Sequence, residues 1–316
     1  MEWALLSLGL IILLFGGDAL VRGAVNISLR VGIPALIVSL TIVAFGTSAP
    51  ELLISLQAAL KDAPGIAIGN VVGSNTANIL LVMGAPAIFA TLRTSQIDSR
   101  RTYIFMIAGS LLFIALALRG IFTFTSGLVL LAALVVALGD TFYQASRHFR
   151  HVKPENGKDQ EVEGADHDMA WWKIIVFLVL GMVWLPLGAN LTVDNAEIIA
   201  RRYGVTEAAI GLTLVALGTS LPELATAVVA AFRRQADVAI GSVIGSNIFN
   251  LLAIIGITSL VHPIRVDPEI LKFDLWVMLG ASLLIVPFVF FDRNITRVWG
   301  LALTSLYLLY IFVVLT

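Results

Sequence analysis

Residues 40 to 51 read Leu-Thr-Ile-Val-Ala-Phe-Gly-Thr-Ser-Ala-Pro-Glu, and residues 212 to 223 repeat them as Leu-Thr-Leu-Val-Ala-Leu-Gly-Thr-Ser-Leu-Pro-Glu. Each copy sets a glycine, two hydroxyls, a proline and a carboxylate in the middle of an apolar run long enough to cross a bilayer. A carboxylate at that depth is expensive unless it is paired, neutralised or put to use. The chain must therefore fold so as to gather buried charge inside a membrane. Composition agrees: 59% of the 316 residues are apolar and 13% charged, and the mean hydropathy is +0.95, far from the soluble average.

Apolar runs cut at charges and turn residues predict ten spans, at about 3–28, 34–60, 65–91, 102–119, 122–146, 171–200, 206–232, 237–262, 272–291 and 297–316. Their continuous apolarity, without dyad alternation, predicts helices rather than a barrel. Residues 1 to 14 carry no basic leader and run on into a longer apolar segment, so a first span is expected there rather than a cleaved signal. Residues 147 to 170 mix Arg147, Arg150, Lys153 and Lys158 with six acidic residues and read as a solvated linker. His148, His151 and His167 lie in it, a metal-binding alternative to a plain polar loop.

An offset of 172 residues superposes Thr41 on Thr213, Glu51 on Glu223, Gly69 on Gly241, Ser74 on Ser246, Asn75 on Asn247 and Asn78 on Asn250. Roughly half the positions from 40 to 84 are identical without a gap, which marks an internal duplication. Asp18 falls on Asn190, so the repeat takes in the first and sixth spans. Five spans per repeat is an odd number, which turns the second repeat upside down relative to the first. The expected fold is all-α and integral to the membrane: residues 1–146 and 171–316 form two inverted five-helix repeats with discontinuous helices at the centre, joined by the linker 147–170. With the N-terminus outside, inward loops hold about fourteen of the Lys and Arg residues and outward ones about six. This places both termini extracytoplasmic and the linker in the cytoplasm.

The second and seventh spans are centred on Thr47 and Thr219, the third and eighth near Asn78 and Asn250, so four polar clusters lie at mid-depth. Gly46 and Gly218 tolerate irregular backbone, and Pro50 and Pro222 suit the first turn of a new helix. Each second span is then two half-helices with carbonyls at the break open to a cation. Thr47 and Ser48 precede Glu51 by four and three residues, and Thr219 and Ser220 precede Glu223 likewise, so hydroxyls and carboxylate are expected on one face. In the second motif Ser74 stands one turn from Asn78, and Ser246 one turn from Asn250. A local alternative exists for each: Ser48-x-x-Glu51 and Ser220-x-x-Glu223 fit a capping box, and the asparagines fit interhelical hydrogen bonds. All these groups are hard oxygen donors, which suit Ca2+ or Na+ and suit Zn2+ or Cu2+ poorly. Neither motif holds a cationic side chain, so the carboxylate pair must stay loaded with some cation. That is the logic of exchange.

At these two motifs the chain resembles the cation/Ca2+ exchanger superfamily, most closely its prokaryotic Na+/Ca2+ exchanger branch, over nearly its whole length. The resemblance implies that Glu51 and Glu223 ligate Ca2+ centrally and that Thr47 and Thr219 add oxygens to it. It further implies that Ser48, Ser74, Ser220 and Ser246 line flanking Na+ sites with the carbonyls of Ala44 and Ala216, while Asn78 and Asn250 sit at the centre. It implies alternating access by sliding of the first and sixth helices, with Gly16, Gly17 and Gly188 allowing close passage. The K+-dependent branch characteristically has Asp where this chain has Asn250, as do some prokaryotic exchangers.

The function expected is a secondary antiporter of the inner membrane exchanging Na+ for Ca2+, surrounded by lipid and needing no cofactor. H+/Ca2+ exchange and K+-dependent Na+/Ca2+ exchange are the near alternatives, since protons also neutralise Glu51 and Glu223. A cation channel is more remote, and so is an intramembrane hydrolase, which would want a histidine or another basic partner beside the hydroxyls. A net charge of −1 argues against a nucleic-acid partner, and zero Cys removes disulfides and thiolate chemistry.

Overall fold

The computed structural model describes residues 1–94, 99–151, 166, 168–203, 216–291 and 293–315. The first repeat comprises α1 (Glu2–Val31), α2 (Ala35–Thr47), α3 (Ala49–Leu60), α4 (Pro64–Phe89), α5 (Arg100–Ala117) and α6 (Phe124–His151). The second comprises α7 (Trp171–Arg202), α8 (Ala216–Thr219), α9 (Leu221–Phe232), α10 (Ala236–Val261), α11 (Ile270–Phe290) and α12 (Arg297–Leu315). Among the described residues eight helices are long and apolar enough to cross a bilayer, and α2 with α3, bent by 43°, makes a ninth. The first half of the span expected at 206–232 lies outside the described residues, and α9 is its second half. The helix α6 runs on to His151, beyond the expected end at 146, while the side chains of His148, His151 and His167 lie outside the described residues.

Polar and apolar groups are distributed as in a protein dissolved in lipid. Leu10, Leu14 and Phe15 of α1, and Phe312 of α12, are exposed, whereas Glu51, Asn78, Thr226 and Asn250 are fully buried. The most enclosed helix is α10, with 94% of its central window buried, against 17% for α12. Thus α4 and α10, the two carriers of the Gly-Ser-Asn motif, form the middle of the bundle, and α12 faces the surroundings.

The first helices of the two halves, α1 and α7, run in opposite directions. Glu2 at the start of α1 binds Arg202 at the end of α7 at 2.6 Å, and Arg30 at the end of α1 lies over the ring of Trp171 at the start of α7. Between these ends the two backbones approach until side chains are excluded. A Cβ at Gly9 would stand 2.8 Å from the Thr192 amide, and one at Gly181, its repeat equivalent, 2.8 Å from the Leu20 amide. Gly188 meets Leu13 in the same way. Small residues replace a hydrophobic driving force, which lipid does not supply.

The loops obey the same pseudo-symmetry. Ile121–Phe122 (β1) pairs antiparallel with Ile264–Arg265 (β2), and Leu92 bridges Ile295. Leu92 and Ile264 are repeat equivalents, and each joins the loop before the last helix of the other repeat. These two-residue strands are the one departure from an all-helical chain among the described residues, and they satisfy loop amides that apolar surroundings would leave unpaired.

Candidate functional site

Both second spans break where the sequence predicts. Ser48 has φ −87° and ψ 5°, and Pro50 occupies the first turn of α3. Ser220 has φ −88° and ψ 2°, with Pro222 in the first turn of α9. Proline has no N–H, so the carbonyls of Gly46 and Gly218 lose their helical donors. The capping alternative fails, because neither serine makes a side-chain cap bond. Instead Ser48 Oγ donates to Glu223 Oε1 at 3.2 Å, across the repeats.

In α4 and α10 the asparagines fall at π-helical turns, Asn78–Val82 and Phe249–Ile254. Such a turn takes one more residue than an α-turn, shifts the face that the following residues present, and recurs at functional sites. Apolar periodicity does not reveal it, so sequence reading missed it.

The hydroxyls pair across the repeats rather than within them. Thr47 Oγ1 lies 3.4 Å from Ser246 Oγ, and the equivalent pair, Thr219 Oγ1 and Ser74 Oγ, is also 3.4 Å apart. Ser246 Oγ further donates to Glu223 Oε1 at 3.4 Å. Thr47 and Ser48, expected on one face with Glu51, hydrogen-bond across to Ser246 and Glu223 of the second repeat. The carbonyl at the first break is not free either. Ala44 O accepts the Ser48 amide at 3.0 Å and the Thr47 hydroxyl at 3.3 Å. In the second break the Ser220 amide turns to Leu217 O at 3.1 Å instead of Ala216 O.

Asn75 and Asn247 join the arrangement, although the sequence alone left them open between ligand and packing. Asn75 Nδ2 donates to Asn247 O at 3.3 Å and Asn247 Nδ2 to Asn75 O at 3.5 Å. They also approach Met278 Sδ and Met106 Sδ, themselves repeat equivalents, at 3.9 and 3.7 Å. Asn78 Nδ2 donates to Asn247 Oδ1 at 3.0 Å. What remains is mostly acceptor. Among the described residues, both oxygens of Glu51, Oε2 of Glu223, Oδ1 of Asn75, Asn78 and Asn250, and Oγ of Ser220 are buried without a hydrogen-bond partner, and Asn250 Nδ2 is the one amide donor of this group left over. Native proteins satisfy nearly all such groups. A cluster of unpaired carboxyl and amide oxygens without a cationic side chain offers the kind of donors that a hard cation takes.

The two sides of this cluster differ. The helix α1 packs along α9, whereas α7 makes no comparable contact with α3. A Cβ at Gly17 would stand 3.0 Å from Ala225 O; Ala225 is 7% exposed, and its repeat equivalent Leu53 is 59% exposed. Among the described residues the site is covered on the side where α9 ends and uncovered on the side where α3 ends. On that open side a cavity of about 360 Å³ reaches Ser74, lined among the described residues by Gly69, Asn70, Gly73, Asp274 and Tyr310.

Comparison with known proteins agrees with this architecture. The family model described as sodium/calcium exchanger protein matches residues 1–141 and 173–316. The chain is 34% identical to sodium/calcium exchanger MaX1 of Methanosarcina acetivorans, over 99% of this chain and 98% of that one. It is 33% identical to inner membrane protein YrbG of Escherichia coli, over 89% and 86%. Solved structures of the sodium-calcium exchanger NCX_Mj, soaked with Na+ and Sr2+, superpose with a TM-score of 0.79 at 31% identity, covering 98% of this chain and 97% of that one. A matching family model over both halves and full-length relatives of this similarity mean that the chain belongs to the sodium/calcium exchanger family.

Proposed function

We propose that this protein is a secondary antiporter of the inner membrane that moves Ca2+ against Na+ by alternating access. The observation that carries the reading is the set of buried, unpartnered oxygens around Glu51 and Glu223, built in duplicate by inverted repeats. Sites of this kind lie at the repeat interface near mid-membrane in transporters. Membership of the exchanger family and full-length similarity to MaX1 and NCX_Mj support the choice of ions.

Glu51 and Glu223 supply the charge that one Ca2+ needs, with Thr47 and Thr219 adding neutral oxygens. Ser48, Ser74, Ser220 and Ser246, with the carbonyls of Ala44 and Ala216, hold Na+ on either side, and Asn78 and Asn250 occupy the centre between α4 and α10. Coupling follows from competition. Na+ and Ca2+ require the same two carboxylates, and an unloaded pair of buried anions opposes the rearrangement that would carry it across. The units are residues 1–146 and 171–316, joined by the cytoplasmic segment 147–170, with both termini outside. The excess of Lys and Arg in inward loops supports that orientation, and under it the open side of the site faces out.

The test is radiolabelled Ca2+ uptake into proteoliposomes loaded with Na+, K+ or choline, with and without a pH gradient. Uptake that requires internal Na+ is expected. Uptake driven by a pH gradient alone would replace Na+ by H+ as the driving ion, and no uptake under any condition would overturn Ca2+ as the substrate.

A further inference from the structure

On the sealed side an ion pair joins α1 to the end of α9, and the equivalent positions of the other side carry a different set of charges. Arg233, at the end of α9, donates through Nε to Asp18 Oδ1 at 2.6 Å, and its Nη2 contacts the same oxygen. Arg22, one turn along α1, binds the other oxygen, Oδ2, at 2.9 Å. The side chain of Arg233 is only 14% exposed, so solvent screens the contact less than at a surface. The pair ties α1 to the half-helix that carries Glu223, beside the close contact of Gly17 with Ala225. The repeat equivalents of Asp18 and Arg233 are Asn190 on α7 and Lys61 after α3. The cation is kept, the anion at the latch position is not, and the equivalent of Arg22 is Asp194, an exposed carboxylate one turn further along α7.

We propose that Asp18 and Arg233 form a one-sided latch, which closes the site on the Arg233 side and biases the resting protein toward the state open at Lys61. When inverted repeats exchange conformations, α7 moves onto α3 as α1 now lies on α9. Asn190 then meets Lys61 in place of a carboxylate, with Asp194 offset by one turn along α7, so the second closed state lacks the pair at the latch position itself. The bias needs no ligand, since it is a difference between two contacts of the protein with itself.

The inference rests on the alternating-access reading, but its test reads accessibility rather than transport, so the two fail separately. The chain has no cysteine, and Leu53→Cys places one at the open α3 face. In native membranes a membrane-impermeant maleimide, applied from the Lys61 side, should label it readily. Adding Asp18→Asn should slow labelling about fivefold or more, Asp18→Glu should restore it, and Ala225→Cys should become reactive from the opposite side. Asn190→Asp, which gives Lys61 a partner, should slow labelling at position 53 by the other route. If Asp18→Asn does not fold, Arg233→Gln carries the same expectation. Unchanged labelling in the folded Asp18→Asn or Arg233→Gln protein, or faster labelling in Asn190→Asp, would overturn the latch.

Discussion

The two repeats share their motifs almost residue for residue, yet they do not make the same contacts. Ser48 donates to Glu223, but Ser220 Oγ reaches nothing and Glu51 stands unpaired. Asn78 donates to Asn247, but the equivalent atoms Asn250 Nδ2 and Asn75 Oδ1 are both orphaned. Leu36 and Leu40 press on Gly241 and Gly245, whereas no described atom lies within 4 Å of a Cβ at Gly69 or Gly73. The Thr47–Ser246 and Thr219–Ser74 pairs match, but each broken equivalence gives one member a contact that the other lacks among the described residues. An inverted repeat is symmetric in what it is able to form and asymmetric in what it forms at one time. That difference is what distinguishes a state open to one side from its opposite.

The largest effect falls on groups that both states need. Glu51→Gln or Glu223→Gln should reduce Ca2+ flux to background while the protein still elutes as a folded species from size exclusion. Near-normal flux from either variant would remove that residue from the site, and with it the equivalence of the two carboxylates.

Stability separates the repeats next. A Cβ at Gly245 would stand 2.5 Å from Leu40 O, so Gly245→Ala should cost about 1–3 kcal/mol. Gly73→Ala should stay within about 0.5 kcal/mol. Thermal unfolding in detergent compares them, and equal losses would mean that the crowding at α10 is not specific to the closed side. In ion-free protein Ser48→Ala should lower stability by about 1–2 kcal/mol through the lost bond to a buried carboxylate, whereas Ser220→Ala should change it little. A reversed order would contradict the assignment of closed and open sides.

Asn250→Asp should change ion dependence more than stability. It adds a third carboxylate at the centre, so the expected change is in ion dependence, read as Ca2+ uptake against Na+ and K+ gradients. Unchanged ion dependence would show that the centre between α4 and α10 does not touch the ions.

Both breaks, the duplication and the ligand candidates are legible in residues 40–84 and 212–256, because the duplicated motifs set local chemical conflicts inside apolar runs. A proline, a glycine and a carboxylate inside an apolar run admit few solutions in lipid. The π-turns at Asn78 and Phe249 are not legible, since residues with the same α-helical propensity form them. Nor is the crossing of hydroxyls, because spacing along one helix says nothing about which neighbour a break turns a side chain toward. Asp18 is a further case: its mid-span position marks it as unusual, but only tertiary structure identifies Arg233 as its partner, 215 residues away.

The sequence by itself determined the class of fold, the duplication and the chemistry of the site, because burial in a membrane punishes every polar residue that lacks a task. Only the tertiary structure decided which repeat satisfies which, and which side is shut. Those outcomes depend on contacts between distant helices, and a duplicated sequence offers them twice with nearly equal right.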